Sequence, residues 1–552
     1  MFSLDWPLSS SFTGPPDSSA MNSLPQELVD NISEHLNRDD LKNTLLLSRP
    51  FQYAAERFSG AFSTYALNEG NVEDFLRVYG GQRFYRYLRE VELKTSVPAL
   101  DGDPDECRDS AAELRKMDES FTRQIKFLFS AINIELVIYT PTIAIARGRY
   151  CVHRTFSSWR IHLLSPDSLP NLESVRSLCV ELGASTSYDL EPDTPMRKLD
   201  LRVLLDLAEK LPILNLLKCN IGGDEWMQGT SSEDAHYLWQ DWAGPRQDSR
   251  RDFVQAFNSI APALQKLRHV RLDFIYPLED VDYTDQRLAM PDLTHPSKHD
   301  AFSTSLRLLS HQLRTMTLRV IADHTLFWPN DGTIPSWPNL EQLSVMFYIA
   351  TPSGSWYFRG LHNEGEHEGF EVTTKSYPPL ETTDEDEDSE LDYEYFNALD
   401  YRTEAQCCVV PNDETLGPFL AAFAKAAALM PALKQAALWA PLNFLVDWEQ
   451  YEDFDANQVS KYHEDKLTWG IRWVRPYTEA FSGYPSEDFS AVRHMWWHVA
   501  KWRPDAALLD LFHGIGRKEH GTDVTMYWED SWCESGLVSR DCFDSWESQV
   551  FR

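Results

Sequence analysis

His494 and His498 stand four residues apart, a spacing that on a helix puts two imidazoles on one face, where both can reach one metal ion. The helical reading of this stretch runs through Trp496, Trp497 and Trp502 and stops near Arg503-Pro504. No third ligand accompanies the pair, and the H-E-x-x-H pattern of a zinc hydrolase is absent, so structural histidines are expected. His362 and His367 sit in a Gly- and Glu-rich stretch and make a weaker pair still. The eight cysteines (Cys107, Cys151, Cys179, Cys219, Cys407, Cys408, Cys533 and Cys542) show no C-x-x-C spacing, which argues against a zinc ribbon. Scattered through a long chain, they read as reduced intracellular thiols, several of them core residues. Gly514-x-Gly516 lacks the strand-glycine-helix setting of a dinucleotide site, and neither a P-loop nor a G-x-S-x-G elbow is present. With 85 acidic residues, carboxylate pairs arise by chance, and spacing along the chain does not fix spacing in space. The expectation is therefore no catalytic residue, no metal and no cofactor.

Charge narrows the partners. Fifty-one Lys and Arg against 85 Asp and Glu give a formal net charge of -34. Nucleic-acid binding needs a basic face to neutralise phosphates, and an anionic membrane surface needs the same, so neither is expected. Met1 to Ala20 has no basic start and no apolar core of a signal peptide, and reads as a disordered tail. The most apolar stretch, Phe419 to Leu442, is interrupted by Lys425, Pro431 and Lys434, too often for a membrane span. A soluble protein of cytoplasm or nucleus is the expectation. A length of 552 residues predicts two to four domains or one long repeat array, and an aromatic content of 12% argues for an ordered chain.

The elements that carry function must then be sought in pattern. Ser23 followed by Gln26 matches a capping box, and Pro25 suits a first helical turn. Leu24, Leu28, Ile32 and Leu36 recur every four residues as an apolar stripe. Asn37 can cap a second helix, with Asp39 and Asp40 in its first turn, and Leu41 and Leu45 continue the stripe. Pro50 stops that helix and opens a third, where Phe51, Ala54, Ala55 and Phe58 share a face. Three helices in about 36 residues cannot bury much by themselves, so the unit leaves apolar surface for a partner or for the rest of the chain.

This stretch resembles the F-box family. Leu24-Pro25-Gln26-Glu27-Leu28, Ile32, Leu36, Asp40-Leu41 and Ser48-Arg49 look like its LP-x-E-L…I…L…DL…S-R pattern, while Ser48 and Phe51 stand where many members have Cys and Trp. The resemblance implies a three-helix fold over residues 21–60 that docks on the Skp-family adaptor of a cullin-RING ubiquitin ligase. It also implies that Leu24, Pro25, Leu28, Ile32, Leu36 and Leu41 lie on or beside the adaptor-facing surface.

From residue 61 to 442 a phrase of the form L-x-x-L-x-L recurs. It appears from Leu88 to Leu93, Leu172 to Val180, Leu214 to Cys219, Leu264 to Leu272, Leu313 to Leu318, Leu340 to Val345 and Leu433 to Leu438. Each phrase ends in an alternating apolar run, the mark of a short strand, and helical stretches such as Leu201 to Leu211 and Phe253 to Leu267 precede several. Helix then strand, repeated at uneven intervals, resembles a degenerate leucine-rich repeat. An α/β body of helices and short parallel strands in an irregular solenoid is the expected fold class. On that reading Glu92, Lys94, Arg271, Asp273, Arg319, Met346 and Trp439 face outward on a concave binding surface.

An insertion is expected near residues 354–412, with an acidic run from Glu381 to Glu394 that reads as a solvated loop, the sharper alternative being a lure for a basic substrate segment or a regulatory site at Thr382, Thr383 or Ser389. Residues 443–552 read as a Trp-rich C-terminal extension. Leu467, Trp469, Ile471 and Trp473 alternate as in a strand, and Trp502-Arg503-Pro504 is similar to the C-terminal part of fungal F-box proteins with a repeat body. The whole implies a non-catalytic adaptor of an SCF-type ubiquitin ligase, holding the Skp-family adaptor and cullin scaffold with one end and an unidentified protein substrate with the other. A hydrolase-like body under a helical cap, and an F-box scaffold outside any ligase, are the alternatives.

Overall fold

The computed structural model describes residues 24–98, 108–131, 135–143, 158–181, 197–221, 242–275, 289–359, 368–384, 410–443, 466–477, 492–499 and 502–529. The chain divides into two compact units after Glu92. The first holds helices α1 (Gln26–Glu34), α2 (Arg38–Thr44) and α3 (Arg49–Phe58), strand β1 (Thr64–Leu67), helices α4 (Val72–Tyr79) and α5 (Gln82–Tyr85), and the start of strand β2 (Glu90–Val97). Of the sequence expectations, the N-terminal tail, Ser23, six cysteines (all but Cys179 and Cys219), His362, His367 and Ser389 lie outside the described residues.

The second unit is mixed α/β. Its elements are the rest of β2, then α6 (Ala111–Ala131), β3 (Glu135–Ile143), β4 (Ser177–Glu181), α7 (Leu201–Glu209), β5 (Leu216–Asn220), α8 (Ala243–Ile260), β6 (His269–Asp273), β7 (Pro291–Asp292), α9 (Ala301–Ser310), β8 (Thr315–Val320) and β9 (Gln342–Phe347). There follow β10 (Phe358–Arg359), β11 (Phe370–Glu371), β12 (Val410–Pro411), α10 (Asp413–Ala427), β13 (Gln435–Asn443), β14 (Lys466–Val474), β15 (Arg493–His498), α11 (Ala506–His513), α12 (Arg517–His520) and β16 (Val524–Glu529). From Leu93 of β2 onward one sheet runs in the order β2-β3-β4-β5-β6-β8-β9-β13-β14-β15-β16. The pairs from β3 to β13 are parallel, β14 is antiparallel to both neighbours, and β15 and β16 are parallel again.

All seven L-x-x-L-x-L phrases deliver a strand of this sheet. The reason lies at the strand entrances. The carbonyl one residue before a strand accepts from two consecutive N–H groups of the next: Arg176 from Asn215 and Leu216, Asn215 from Arg268 and His269, and Arg268 from Arg314 and Thr315. Arg314 likewise takes Glu341 and Gln342, and Glu341 takes Lys434 and Gln435. The clamp fixes register, and register aligns the apolar positions. Ile138, Val180, Cys219, Leu272, Leu318, Val345, Leu438, Ile471 and Trp497 form one continuous buried row across nine strands.

The helix expected from Phe253 to Leu267 begins ten residues earlier, at Ala243, and ends at Ile260, with the remainder a turn into β6. The helix expected over His494 to Trp502 is instead strand β15, because Met495 and Trp497 complete apolar rows begun on the parallel strands. The Trp-rich C-terminal residues thus extend the sheet of the body: β14, expected from the alternation of Trp469, Ile471 and Trp473, pairs with β13 along nine residues.

A buried ion pair ties two helices to the sheet. Arg250 of α8 donates to Asp300 at 2.6 Å and to the carbonyl of Ile321 at 3.3 Å, with its guanidinium 4.3 Å from the Phe302 ring. Asp300 also caps α9, accepting from Phe302 N and Ser303 N. Removing one partner strands the other charge in the core. Asp300→Ala is expected to lower unfolding free energy by about 3–5 kcal/mol in urea titrations, and an effect under roughly 1 kcal/mol would contradict this role.

Candidate functional site on the N-terminal helices

The first three helices are each set by local chemistry. At the start of α1, Pro25 supplies no N–H, while its carbonyl accepts from Leu28 N and Val29 N at 3.1 and 3.2 Å. Among the described residues no side chain caps this helix. Asn37 Oδ1 caps α2, accepting from Asp39 N at 3.0 Å and Asp40 N at 2.9 Å. Ser48 caps α3, whose first turn holds Pro50.

Val29, Phe51 and Ala54 are the buried centre of the three, with Leu24 and Phe58 partly buried against them. Gln26 Nε2 donates to the carbonyl of Pro50, and Arg57 pairs with Asp30 at 3.0 Å, closing α1 onto α3 from outside. Glu56 on the buried side of α3 pairs with Arg83 of α5.

The expected apolar stripe therefore splits. α1 turns Val29 and Ser33 inward, while Leu28 is 52% exposed and Ile32 44% exposed. Pro25 is exposed and Leu36 half-buried. Leu41 is buried, so it supports the surface from beneath and does not present a side chain to a partner. Sequence reasoning missed Leu46, 73% exposed, and the exposed Leu47 and Tyr53. The uninterrupted Leu45-Leu46-Leu47 run was the available signal, since a short helix beside one neighbour cannot bury three consecutive leucines. Five exposed large apolar side chains, on α1, on the turn between α2 and α3, and on α3, make a surface with chemistry for a protein partner. No protein-family model and no curated protein matches the chain.

The second expected surface is corrected. Asp273, Met346 and Trp439 are buried, Glu92, Arg271 and Arg319 are half-buried, and among the seven expected residues Lys94 alone is exposed. Asp273, Arg319, Met346 and Trp439 occupy one register row on the face of the sheet opposite the aliphatic row. Arg319 bonds Asp273 at 3.3 Å and lies 5.9 Å from the Trp439 ring. Two residues along the ladder and on the same face, Arg472 lies 5.9 Å from the Trp496 ring, its pKa pushed down to about 9 by burial, still charged at neutral pH. Period-two alternation correctly separates the two faces but carries no information on whether the polar one is covered.

The histidine pair cannot share an ion. On strand β15, residues four apart lie about 13 Å from each other. His494 instead stacks with Trp496 and Tyr527, its Nδ1 3.2 Å from the Tyr527 hydroxyl. Gly516 is structural: its φ is +65°, and a Cβ there would come within 2.5 Å of the Trp473 ring. Cys179 and Cys219 are both buried, and burial raises the Cys219 thiol well above its ordinary range. Among the described residues no helix is long and apolar enough to cross a membrane.

The split of α1 is testable by two neighbouring substitutions. Val29→Ala is expected to destabilise the first unit by about 1–2 kcal/mol, and Leu28→Ala by less than about 0.5 kcal/mol, read by local hydrogen exchange across α1 and α3. Equal costs would contradict the orientation of the helix.

Proposed function

We propose that this chain is a substrate-recognition adaptor of an SCF-type cullin-RING ubiquitin ligase, with α1–α3 serving as an F-box that docks a Skp-family adaptor. The observation that carries the reading is the exposure of Leu28 and Ile32, two positions of the LP-x-E-L…I pattern, on a three-helix unit whose own centre is already filled by Val29, Phe51 and Ala54. Apolar side chains left over after a small core is complete are what an obligate partner buries. The resemblance in Leu24-Pro25-Gln26-Glu27-Leu28, Ile32, Leu36, Asp40-Leu41 and Ser48-Arg49 supplies the identity of that partner.

The second unit is read as a degenerate leucine-rich-repeat-like body that holds a protein substrate. Four times a helix leads through a leucine-bearing turn into a strand of the sheet: α7 to β5, α8 to β6, α9 to β8 and α10 to β13. In this role the chain needs no catalytic group. It brings substrate and ubiquitin-charged subunits together, and proximity raises their effective concentration. The reading places the protein in cytoplasm or nucleus, where such ligases act.

Because Leu24 is half-buried against the centre of the unit, the test substitutes only exposed positions. The intact chain is expected to capture a Skp-family adaptor and, through it, a cullin. The double variant Leu28→Asp/Ile32→Asp should weaken adaptor capture at least about tenfold while its circular dichroism and melting stay unchanged, since two desolvated apolar anchors are each worth about 1.5 kcal/mol or more. Failure of the intact chain to bind any Skp-family adaptor would overturn the proposal.

A further inference from the structure

Four polar side chains from four separate elements of the second unit meet at one place. His162 lies on an extended segment held on both sides: Ile161 N bonds the carbonyl of Lys198 at 2.8 Å, and Asp200 N bonds the carbonyl of Ile161 at 2.9 Å. His162 N itself donates to Asp118 Oδ1 of α6 at 2.8 Å, and Leu164 N to Thr122 Oγ1 one turn further at 2.8 Å. Asp200 caps α7, its Oδ1 accepting from Arg202 N at 2.8 Å. Its Oδ2 points the other way, 4.0 Å from His162 Nδ1, and among the described residues it accepts no hydrogen bond. The Asp200 side chain is 3% exposed and that of His162 47%. Asp252 comes from α8, whose Ser249, one turn earlier, takes Leu201 N at 2.8 Å and so sets α8 against the start of α7.

One donor atom each from His162, Asp200 and Asp252 lies within 4.8 Å of the other two. Donors held tetrahedrally around an ion at about 2.1 Å stand about 3.4 Å apart, so the widest pair must close by up to about 1.4 Å, through χ rotations of the solvent-facing His162 and the half-buried Asp252. Charge favours closure. Asp118, Asp200 and Asp252 face one imidazole, and the nearby cation Arg202 spends its Nε on Asp206, at 3.2 and 3.3 Å to the two oxygens. A buried acid whose free oxygen looks onto a second acid and an imidazole is an arrangement that a divalent cation relieves.

We infer that His162, Asp200 and Asp252 form a binding site for a first-row transition divalent cation, zinc or manganese, with Asp118 fixing the histidine segment from behind. One imidazole nitrogen and two carboxylate oxygens suit these ions. Calcium prefers six to eight oxygens, and magnesium keeps most of its water. The exposed side of His162 leaves room for water to complete the coordination. The ion ties α7 and α8 to the extended segment, and the site does not depend on the adaptor reading.

The full-length protein, stripped with chelator, is titrated calorimetrically with zinc, manganese, magnesium and calcium chlorides, and its melting is followed with each. The site predicts one tight equivalent of zinc or manganese with a raised melting temperature, and at least about hundredfold weaker magnesium and calcium. It further predicts loss of that equivalent in His162→Ala/Asp252→Asn and at least tenfold weaker binding in Asp252→Asn alone, each with an unchanged chelator-treated circular dichroism spectrum. Zinc and manganese stoichiometry that is the same in the intact chain and the double variant would overturn the inference, as would uptake of no ion by the intact chain.

Discussion

The second unit depends on strand register. Parallel strands of five or six residues have little length over which to choose a pairing, and a slip of one residue would turn every aliphatic side chain to the opposite face. The repeated two-donor clamp on the carbonyls of Arg176, Asn215, Arg268, Arg314 and Glu341 fixes the choice at each strand entrance. Once fixed, register puts Val180, Cys219, Leu272, Leu318, Val345 and Leu438 in line, and α7 through α10 carry buried apolar residues into the same unit. Both faces of the sheet end up buried over its central strands, which is the usual condition of a parallel sheet. The aliphatic row covers one, and Asp273, Arg319, Met346, Trp439, Arg472 and Trp496 fill much of the other.

That filling shapes the functional account. A face built from an Arg–Asp pair beside Trp439, and from Arg472 beside Trp496, is a polar interior and not a platform for a partner. Among the described residues of the first unit, an apolar docking surface is formed by Leu28 and Ile32 of α1, Leu46 and Leu47 in the turn after α2, and Tyr53 of α3. Their exposure follows from economy of length: three helices totalling about 26 residues can enclose only a small centre, and the leftover leucines must wait for something else. In the proposed adaptor, this division separates the two jobs, docking on the first unit and substrate holding on the second.

Much of this was legible in the sequence. The seven leucine phrases mark seven strands because period-two burial needs only local pattern to be seen, and Asn37 marks a helix start because capping is local too. What could not be read depends on distant partners. Met495 and Trp497 are drawn into a strand by rows that begin on β3, so the i, i+4 histidine spacing misleads. Whether Trp439 is covered, or whether Leu28 or Val29 turns inward, is decided by neighbours far along the chain. The same holds for Asp118, His162, Asp200 and Asp252, which no spacing rule connects and which three helices and one extended segment bring together.

The most direct measurement of the central claim is hydrogen–deuterium exchange of the full chain with and without a purified Skp-family adaptor. The account predicts slowed exchange confined to α1–α3 between Gln26 and Phe58, with the second unit unchanged. Unaltered exchange in those helices, or protection that falls on the sheet of the second unit instead, would contradict it.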